Sequence, residues 1–278
     1  MINKIGIMQG RLLPRYKNRY QSHPLHYWQA EFYIARDLDF SQIEFILDFN
    51  DSHLNPLMNK AGIKEIQTLI NATGVKVKSV CADYFMEAPF HSIHQQQSEE
   101  ILKTLISNAA DLGVIDIVIP CVDHSTLKND ADMEMLIGSI KKVLPFAEEQ
   151  HININFETDL NPKRFKELLN HFDSNNIKVN YDIGNSSSLG FNPQEEFDTY
   201  GEYISDLHIK DRVLNGGSVE LGKGNADFDT IFQRLQQLNF KGNIIMQSAR
   251  ELDYVNDLIL VQKQKLFLEN YITKYLGT

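Results

Sequence analysis

Eight short apolar runs, each followed by a longer segment with helical spacing of its apolar residues, predict a (β/α)8 barrel. The runs start 26 to 38 residues apart, which is the period of a parallel sheet with crossover helices. The length of 278 residues suits one such barrel. An open doubly wound sheet is the alternative. It predicts a glycine-rich phosphate turn after the first strand, and Gln9-Gly10-Arg11-Leu12-Leu13-Pro14 is not one.

The predicted strands are short apolar runs that end in polar residues. They cover residues 4–10, 42–48, 77–84, 115–123, 152–159, 178–185, 204–211 and 242–250. Asparagine followed by proline marks two helix starts, Asn161-Pro162 and Asn192-Pro193, because asparagine caps a helix and proline suits its first position. Pro145 predicts a kink or break in the helix around it. The predicted helices cover residues 27–38, 63–71, 98–112, 132–150, 194–200, 230–238 and 253–275, with one more beginning at Pro162.

Two loops are longer than a barrel needs, residues 11–26 after the first strand and residues 85–94 after the third. Both are rich in aromatic, histidine and arginine side chains. Loops after barrel strands lie on the carboxyl-terminal face, where barrel enzymes keep their active sites. We therefore predict that both overhang that face as substrate lids.

Composition favours a single soluble domain over residues 1–278, with 42% hydrophobic and 23% charged residues. The net charge of -10 argues against a nucleic-acid partner, since such proteins carry a basic face. Cys81 and Cys121 lie in apolar runs and are interpreted as reduced cysteines. No stretch suits a signal peptide or a membrane span, so we expect a cytoplasmic protein without a membrane partner. The sequence is compatible with a homo-oligomer and does not fix the oligomeric state.

Four strand endings in the second half each present one group that can bind a metal. These residues are Glu157, Asp182, His208 and Gln247. Two carboxylates, an imidazole and an amide oxygen, without a cysteine, suit a divalent Mn, Mg, Co or Zn ion with positions left for substrate. The alternative is four unrelated polar residues at strand ends.

Motifs along nearly the whole chain resemble the xylose-isomerase-like TIM barrels, a family of sugar and sugar-phosphate isomerases and epimerases with endonuclease-IV-like relatives. The motifs are Ile5-Gly6-Ile7-Met8-Gln9-Gly10-Arg11, Ile43-Glu44-Phe45, Phe156-Glu157, Tyr181-Asp182-Ile183-Gly184-Asn185, Leu207-His208-Ile209-Lys210-Asp211 and Leu221-Gly222-Lys223-Gly224-Asn225-Ala226-Asp227-Phe228. The resemblance implies a divalent ion held by Glu, Asp, His and a second Glu on the last four strands. Glu157, Asp182 and His208 match, whereas Gln247 departs from the pattern.

An amide oxygen at Gln247 can coordinate a metal but cannot accept a proton. Epimerisation with two glutamate bases is therefore in doubt, and the resemblance implies metal-dependent isomerisation or epimerisation of a sugar or sugar phosphate through a metal-held enediolate. Glu157 is the predicted base, and pure metal ligation is its alternative role. Glu44, Asp83 and Asp123 close strands two, three and four; one of them is a candidate for a second base, and capping of a loop is the favoured role for each.

The predicted substrate-binding residues are Gln9, Glu44, Asp123, Lys210 and Arg250. Lys210 and Arg250 suit a carboxylate or phosphate, and an ion pair with Asp211 or Glu251 is their alternative role. Gly222-Lys223-Gly224 is interpreted as a tight turn.

Two other functions compete with the isomerase. Gln247 suggests a dehydratase- or lyase-like enzyme or a non-catalytic sugar-binding protein. An endonuclease-like phosphodiesterase is disfavoured because that branch of the family has a histidine three residues after the sixth-strand Asp, where this chain has Asn185. The identity of the sugar stays open.

Overall fold

Eight parallel strands close into a barrel in the computed structural model, which describes residues 5–251 and 253–277. Going around the barrel, the order is β1, β2, β3, β4, β5, β6, β7 and β10. Their bounds are β1 (Ile5–Met8), β2 (Gln42–Ile46), β3 (Ser79–Cys81), β4 (Asp116–Cys121), β5 (Asn153–Thr158), β6 (Ile177–Asp182), β7 (Ile204–Ile209) and β10 (Asn243–Met246). The predicted (β/α)8 barrel is confirmed. Lys4, at the start of the first predicted strand, lies outside the described residues.

Helices follow the barrel strands along the chain. They are α1 (Gln29–Asp37), α2 (Lys60–Thr73), α3 (Tyr84–Glu87), α4 (Gln95–Leu112), α5 (Asp130–Glu149), α6 (Pro162–Leu169), α7 (Ile183–Leu189), α8 (Pro193–Tyr200), α9 (Phe228–Gln237) and α10 (Tyr254–Leu276). Asn161 and Asn192 cap α6 and α8 as predicted, each accepting a backbone N–H. Within the described ranges, no helix is both long and apolar enough to cross a bilayer.

The core has an outer and an inner part. Most buried apolar side chains form one large cluster. A separate cluster consists of Met8, Ile46, Cys81, Val118 and Ile245, one residue from each of five barrel strands. Because side chains alternate between the faces of a strand, these residues show which positions of each strand point into the barrel.

Two expectations about local structure are corrected. The sixth strand ends at Asp182 instead of continuing to Asn185, because the Asp182 carboxylate accepts the Asn185 N–H and begins α7. Helix α5 runs through Pro145 without the predicted break. Proline removes one helical hydrogen bond to the carbonyl four residues earlier. That carbonyl belongs to Lys141, and both residues are exposed, so water can replace the lost partner.

A short antiparallel hairpin follows β7 and is made of β8 (Asp211–Arg212) and β9 (Ser218–Val219). The Asp211 carboxylate accepts the backbone N–H groups of Gly222, Gly224 and Ala226 at 2.8 to 3.1 Å. Gly222 has a φ of 80°, which favours glycine. The segment around Gly222 is therefore a turn closed on an internal carboxylate, which agrees with the turn interpretation.

Candidate active site

Three of the four predicted metal ligands converge at the carboxyl ends of β5, β6 and β7. One ligand atom each from Glu157, Asp182 and His208 lies within 4.8 Å of the other two. Nδ1 of His208 is 3.3 Å from Oε2 of Glu157 and 3.9 Å from Oδ2 of Asp182. Adjacent parallel strands bring them together, since Asp182 and His208 are direct neighbours in the register of β6 and β7. All three side chains are buried.

His208 is oriented by a second carboxylate beneath it. Oε1 of Glu44 lies 2.7 Å from Nε2 of His208, and Oε2 of Glu44 accepts a hydrogen bond from Ser79. A ligating histidine commonly donates its other ring N–H to a carboxylate, which turns the free nitrogen toward the metal. Here that nitrogen is Nδ1, on the side of Glu157 and Asp182.

The structure corrects the predicted role of Glu44. It was expected to bind substrate, but its side chain is fully buried below His208 and does not line the cavity. Burial by itself would lower the pKa of His208, yet the Glu44 and Glu157 carboxylates outweigh it and raise that pKa well above its ordinary value. The contacts of Glu44 therefore orient the His208 ring and favour its charged form.

Glu157 is held by two asparagine side chains. Asn180 donates to its Oε2 at 2.8 Å and Asn185 to its Oε1 at 2.7 Å. Burial opposes ionisation, but His208, Lys210 and Asn180 together lower the pKa of Glu157 to about 2. Glu157 is consequently an anion near neutral pH, ready to bind a cation or accept a proton.

Sequence reasoning missed Asn180, Asn185 and Arg212. Asn180 lies two residues before Asp182 on β6 and so shares its inward face, a signal that strand alternation offered. Asn185 is presented by α7, and Arg212 donates to its Oδ1 at 2.8 Å. This contact depends on the hairpin that follows β7, which sequence reasoning did not predict.

Lys210 lies at the cavity wall and forms an ion pair with a predicted ligand. Its Nζ is 2.5 Å from Oδ2 of Asp182, and its side chain is 12% exposed. Burial raises the pKa of Asp182, and the Lys210 ammonium opposes that rise. A side chain at position 184 would collide with Lys210, so Gly184 leaves the lysine its path.

Gln247 follows β10 and lines the same cavity as Glu157. Its Nε2 donates to Oε1 of Gln21 at 2.9 Å. Arg11 also donates to this oxygen, at 3.0 Å. Arginine has only donors, so the atom of Gln21 that faces it must be the oxygen, and Gln247 must then present its amide nitrogen. Oε1 of Gln247 is left buried, with no hydrogen-bond partner among the described residues.

A cavity of about 330 Å³ at the mouth of the barrel is lined by five of these residues, Glu157, Asn185, Lys210, Arg212 and Gln247. Both long loops contribute to its wall, one through Arg19, Tyr20 and Gln21 and the other through Met86 and Glu87. Their position on the carboxyl-terminal face agrees with the prediction, while their action as lids stays a prediction. Of the five predicted substrate-binding residues, only Asp123 and Lys210 line the cavity.

Gln9 does not reach the cavity, contrary to the prediction. Met8 points into the barrel, so alternation turns Gln9 outward, where it is fully buried. Its Oε1 accepts the Ile46 N–H at 3.0 Å and lies 2.9 Å from the His23 ring. Gln9 thus ties the first long loop to β2.

Arg250 also lies outside the cavity wall, contrary to the prediction. Its guanidinium pairs with Asp257 of α10 at 2.9 Å and donates to the Leu13 carbonyl at 2.7 Å. The strand has ended four residues earlier, so strand alternation no longer directs this side chain inward. Arg250 joins the first loop to α10, and its partner is Asp257 instead of Glu251 or Asp211.

A closed (β/α)8 barrel with a buried cluster of two carboxylates and an oriented histidine at its carboxyl-terminal mouth has the architecture of a barrel enzyme. Residues 32–264 match the family described as xylose isomerase-like TIM barrel, and the chain belongs to that family. The predicted family resemblance is confirmed.

Several relatives and structural neighbours of the chain are named as sugar epimerases, and one relative is named inosose dehydratase. The chain is 25% identical over 259 residues to the Haemophilus influenzae protein named "Putative L-ribulose-5-phosphate 3-epimerase SgbU", covering 87% of this chain and 91% of that one. Its fold is similar to a D-psicose 3-epimerase determined in the presence of D-fructose, with a TM-score of 0.74, 16% identity and coverage of 99% and 100%. Its fold is also similar to the IOLI protein with a bound zinc atom, with a TM-score of 0.74 and 16% identity. That match covers 98% of this chain and 99% of the IOLI chain.

Proposed function

We propose that the chain is a metal-dependent isomerase or epimerase of a sugar or sugar phosphate, working by proton abstraction next to a carbonyl. The observation that carries this proposal is the buried cluster of Glu157, Asp182 and His208, of which Glu157 lines the cavity at the barrel mouth. The names of its relatives support the same class of substrate.

The cluster fits a divalent cation. Two carboxylates and one imidazole nitrogen face a common point. Because the amide nitrogen of Gln247 is bonded to Gln21, its buried Oε1 is available as a fourth metal ligand. Oxygen and nitrogen donors of this kind suit Mn, Mg, Co or Zn. A bound cation would act as a Lewis acid and polarise the substrate carbonyl.

Glu157 is the group we assign as base. Its carboxylate is ionised at neutral pH and lines the cavity, while Asn180 and Asn185 fix its orientation. It takes the proton from the carbon next to the carbonyl, and the electron pair of that C–H bond forms the enediolate. A base with so low a pKa needs an acidified C–H bond, and a cation held by the cluster would supply this by polarising the carbonyl.

Solvent exchange tests the proposal directly. The protein is stripped with chelator, reloaded with Mn²⁺, Mg²⁺, Co²⁺ or Zn²⁺, and incubated in D₂O with D-psicose, D-fructose, L-ribulose and L-ribulose 5-phosphate. We expect metal-dependent deuterium at the carbon next to the carbonyl, detected by NMR, together with a new isomer separated by chromatography. Glu157→Gln should abolish exchange, whereas Glu134→Gln, an exposed change on α5, should not.

Gln247 favours a second candidate, a dehydratase, because dehydration does not require a proton to be returned at the position of the family's second glutamate. The same incubation distinguishes the two. Loss of water from the sugar, seen as a mass lower by one water molecule, would replace the isomerase proposal. Neither exchange nor dehydration on any sugar would indicate a binding protein.

A further inference from the structure

Among the described residues, five carboxylates line the cavity: Asp48, Asp83, Glu87, Asp123 and Glu157. Glu157 is the base already assigned. Both oxygens of Asp48 are engaged, one by Arg19 at 2.8 Å and the other by the His23 N–H at 2.7 Å. Glu87 and Asp123 are exposed side chains at the rim.

Asp83 differs from the other carboxylates because a hydrogen-bond relay connects it to Gln247. Gln21 receives the Gln247 amide N–H on its oxygen and donates its own amide N–H to Oδ2 of Asp83, each at 2.9 Å. The Arg11 guanidinium fixes this direction, since only an oxygen of Gln21 can face it. Asp83 is thus the cavity carboxylate that is linked through Gln21 to Gln247, a side chain that cannot accept a proton.

The rest of the surroundings of Asp83 leave it able to exchange a proton with a ligand. Oδ1 accepts only the weak Cys81 thiol, at 3.2 Å. Burial, together with the neighbouring Asp48 and Glu157 carboxylates, raises the pKa of Asp83 to about 6. A group that titrates near the working pH is an effective acid and base.

We propose that Asp83 is the second acid–base residue of this site and performs the proton transfer that Gln247 cannot. This inference rests on the proposed epimerase function. Glu157 removes the proton from the carbon next to the carbonyl, and the C–H electron pair forms the enediolate. Protonated Asp83 then gives its proton to the opposite face of that carbon, and the carbonyl is restored. Glu157 ends protonated and Asp83 ionised, and both return to their starting states by exchange with solvent.

The test separates proton exchange from inversion. Metal-loaded wild type, Asp83→Asn, Asp83→Glu and Asp83→Asn/Gln247→Glu are incubated in D₂O with the four sugars used above. In Asp83→Asn we expect inversion to fall by about 100-fold or more, the range of acid–base groups, while deuterium still enters recovered substrate through Glu157. Asp83→Glu keeps a carboxylate and should retain inversion. The double variant should regain it, because Gln247→Glu returns a carboxylate to the other end of the relay.

Controls separate a chemical role from a structural one. Asp37→Asn, an exposed change on α1, should match wild type, and metal affinity by calorimetry should be the same in Asp83→Asn and wild type. Inversion by Asp83→Asn at close to the wild-type rate would overturn the role of Asp83 alone. Parallel loss of exchange, inversion and metal binding, without recovery in the double variant, would make Asp83 a structural residue. No exchange by wild type with any sugar and metal would refute the proposed function, and the role of Asp83 with it.

Discussion

The ion pair between Lys210 and Asp182 should oppose metal binding, because the ammonium occupies a carboxylate that the cation needs. The two charged atoms are 2.5 Å apart, and the side chains are 12% and 1% exposed. At that distance two unit charges attract by about 7 kcal/mol at an effective dielectric constant of 20. Desolvation offsets much of this, and removing one partner of a buried pair costs about 3–5 kcal/mol.

Because Lys210 keeps some exposure, we expect Lys210→Met to lower the unfolding free energy of the metal-free protein by about 3 kcal/mol, the lower end of that range. A cation can then restore the lost pairing. If it regains half of that energy, its Kd falls by about tenfold, since about 1.4 kcal/mol corresponds to a factor of ten.

Urea unfolding in the presence of chelator measures the first quantity, and calorimetric titration with Mn²⁺ measures the second. Lys60→Met is the matched control, because the Lys60–Asp111 pair is 64% and 48% exposed and should contribute little. A Kd for Mn²⁺ that rises or stays constant in Lys210→Met would refute the competition, and an unchanged unfolding free energy would refute the pair itself.

Three further predictions follow from single residues. Gln247→Glu should lower the Kd for Mn²⁺ in the same titration, because it puts a charge where a neutral oxygen lies buried; an unchanged Kd would place residue 247 outside the coordination sphere. Burial raises the pKa of Glu31 from 4.5 to about 7. The contribution of Glu31 to stability is therefore complete below pH 4.5 and is lost as the pH rises through 7, by about 3 kcal/mol. The difference in unfolding free energy between wild type and Glu31→Gln should change over this pH range. A difference that stays constant would contradict the raised pKa. Gly224→Ala should lower the unfolding free energy by about 1–3 kcal/mol, because the added Cβ meets the Asp211 carboxylate and the Arg212 carbonyl; Gly217→Ala, with nothing within 4 Å of its added Cβ, is the control, and equal effects would refute the clash.

The barrel could be predicted because its signal is local and repeated. Each strand is an apolar run, and all eight runs are strands in the structure. The predicted strands extended too far at their carboxyl ends. Polar residues there continue the sequence pattern of the strand, but they no longer form hydrogen bonds to the neighbouring strand. At Asp182 the carboxylate that closes the strand also caps α7, so one residue ends the first element and begins the second.

Choosing polar residues at the carboxyl ends of predicted strands identified the residues that converge. It did not give the direction of every side chain. Glu157, Asp182 and His208 lie on inward positions of three neighbouring strands, so predicting the strands also placed them. Gln9 and Arg250 were chosen in the same way, but neither side chain reaches the cavity. Gln9 is turned outward by strand alternation, and Arg250 lies beyond the end of its strand. The contact between Glu44 and His208 joins residues 164 positions apart, and no local pattern reports it.

The charge of the site explains why an amide is tolerated at position 247. Three carboxylates, Glu44, Asp182 and Glu157, contact His208 or Lys210 in the interior of the barrel. One ammonium and one divalent cation balance these three charges when the histidine is neutral. A fourth carboxylate at position 247 would leave a net negative charge in a buried site, which tightens cation binding but destabilises the metal-free protein. With a divalent cation bound, the amide would keep the site neutral. In the proposed mechanism the carboxyl group for the second proton transfer is Asp83, which Gln21 links to Gln247.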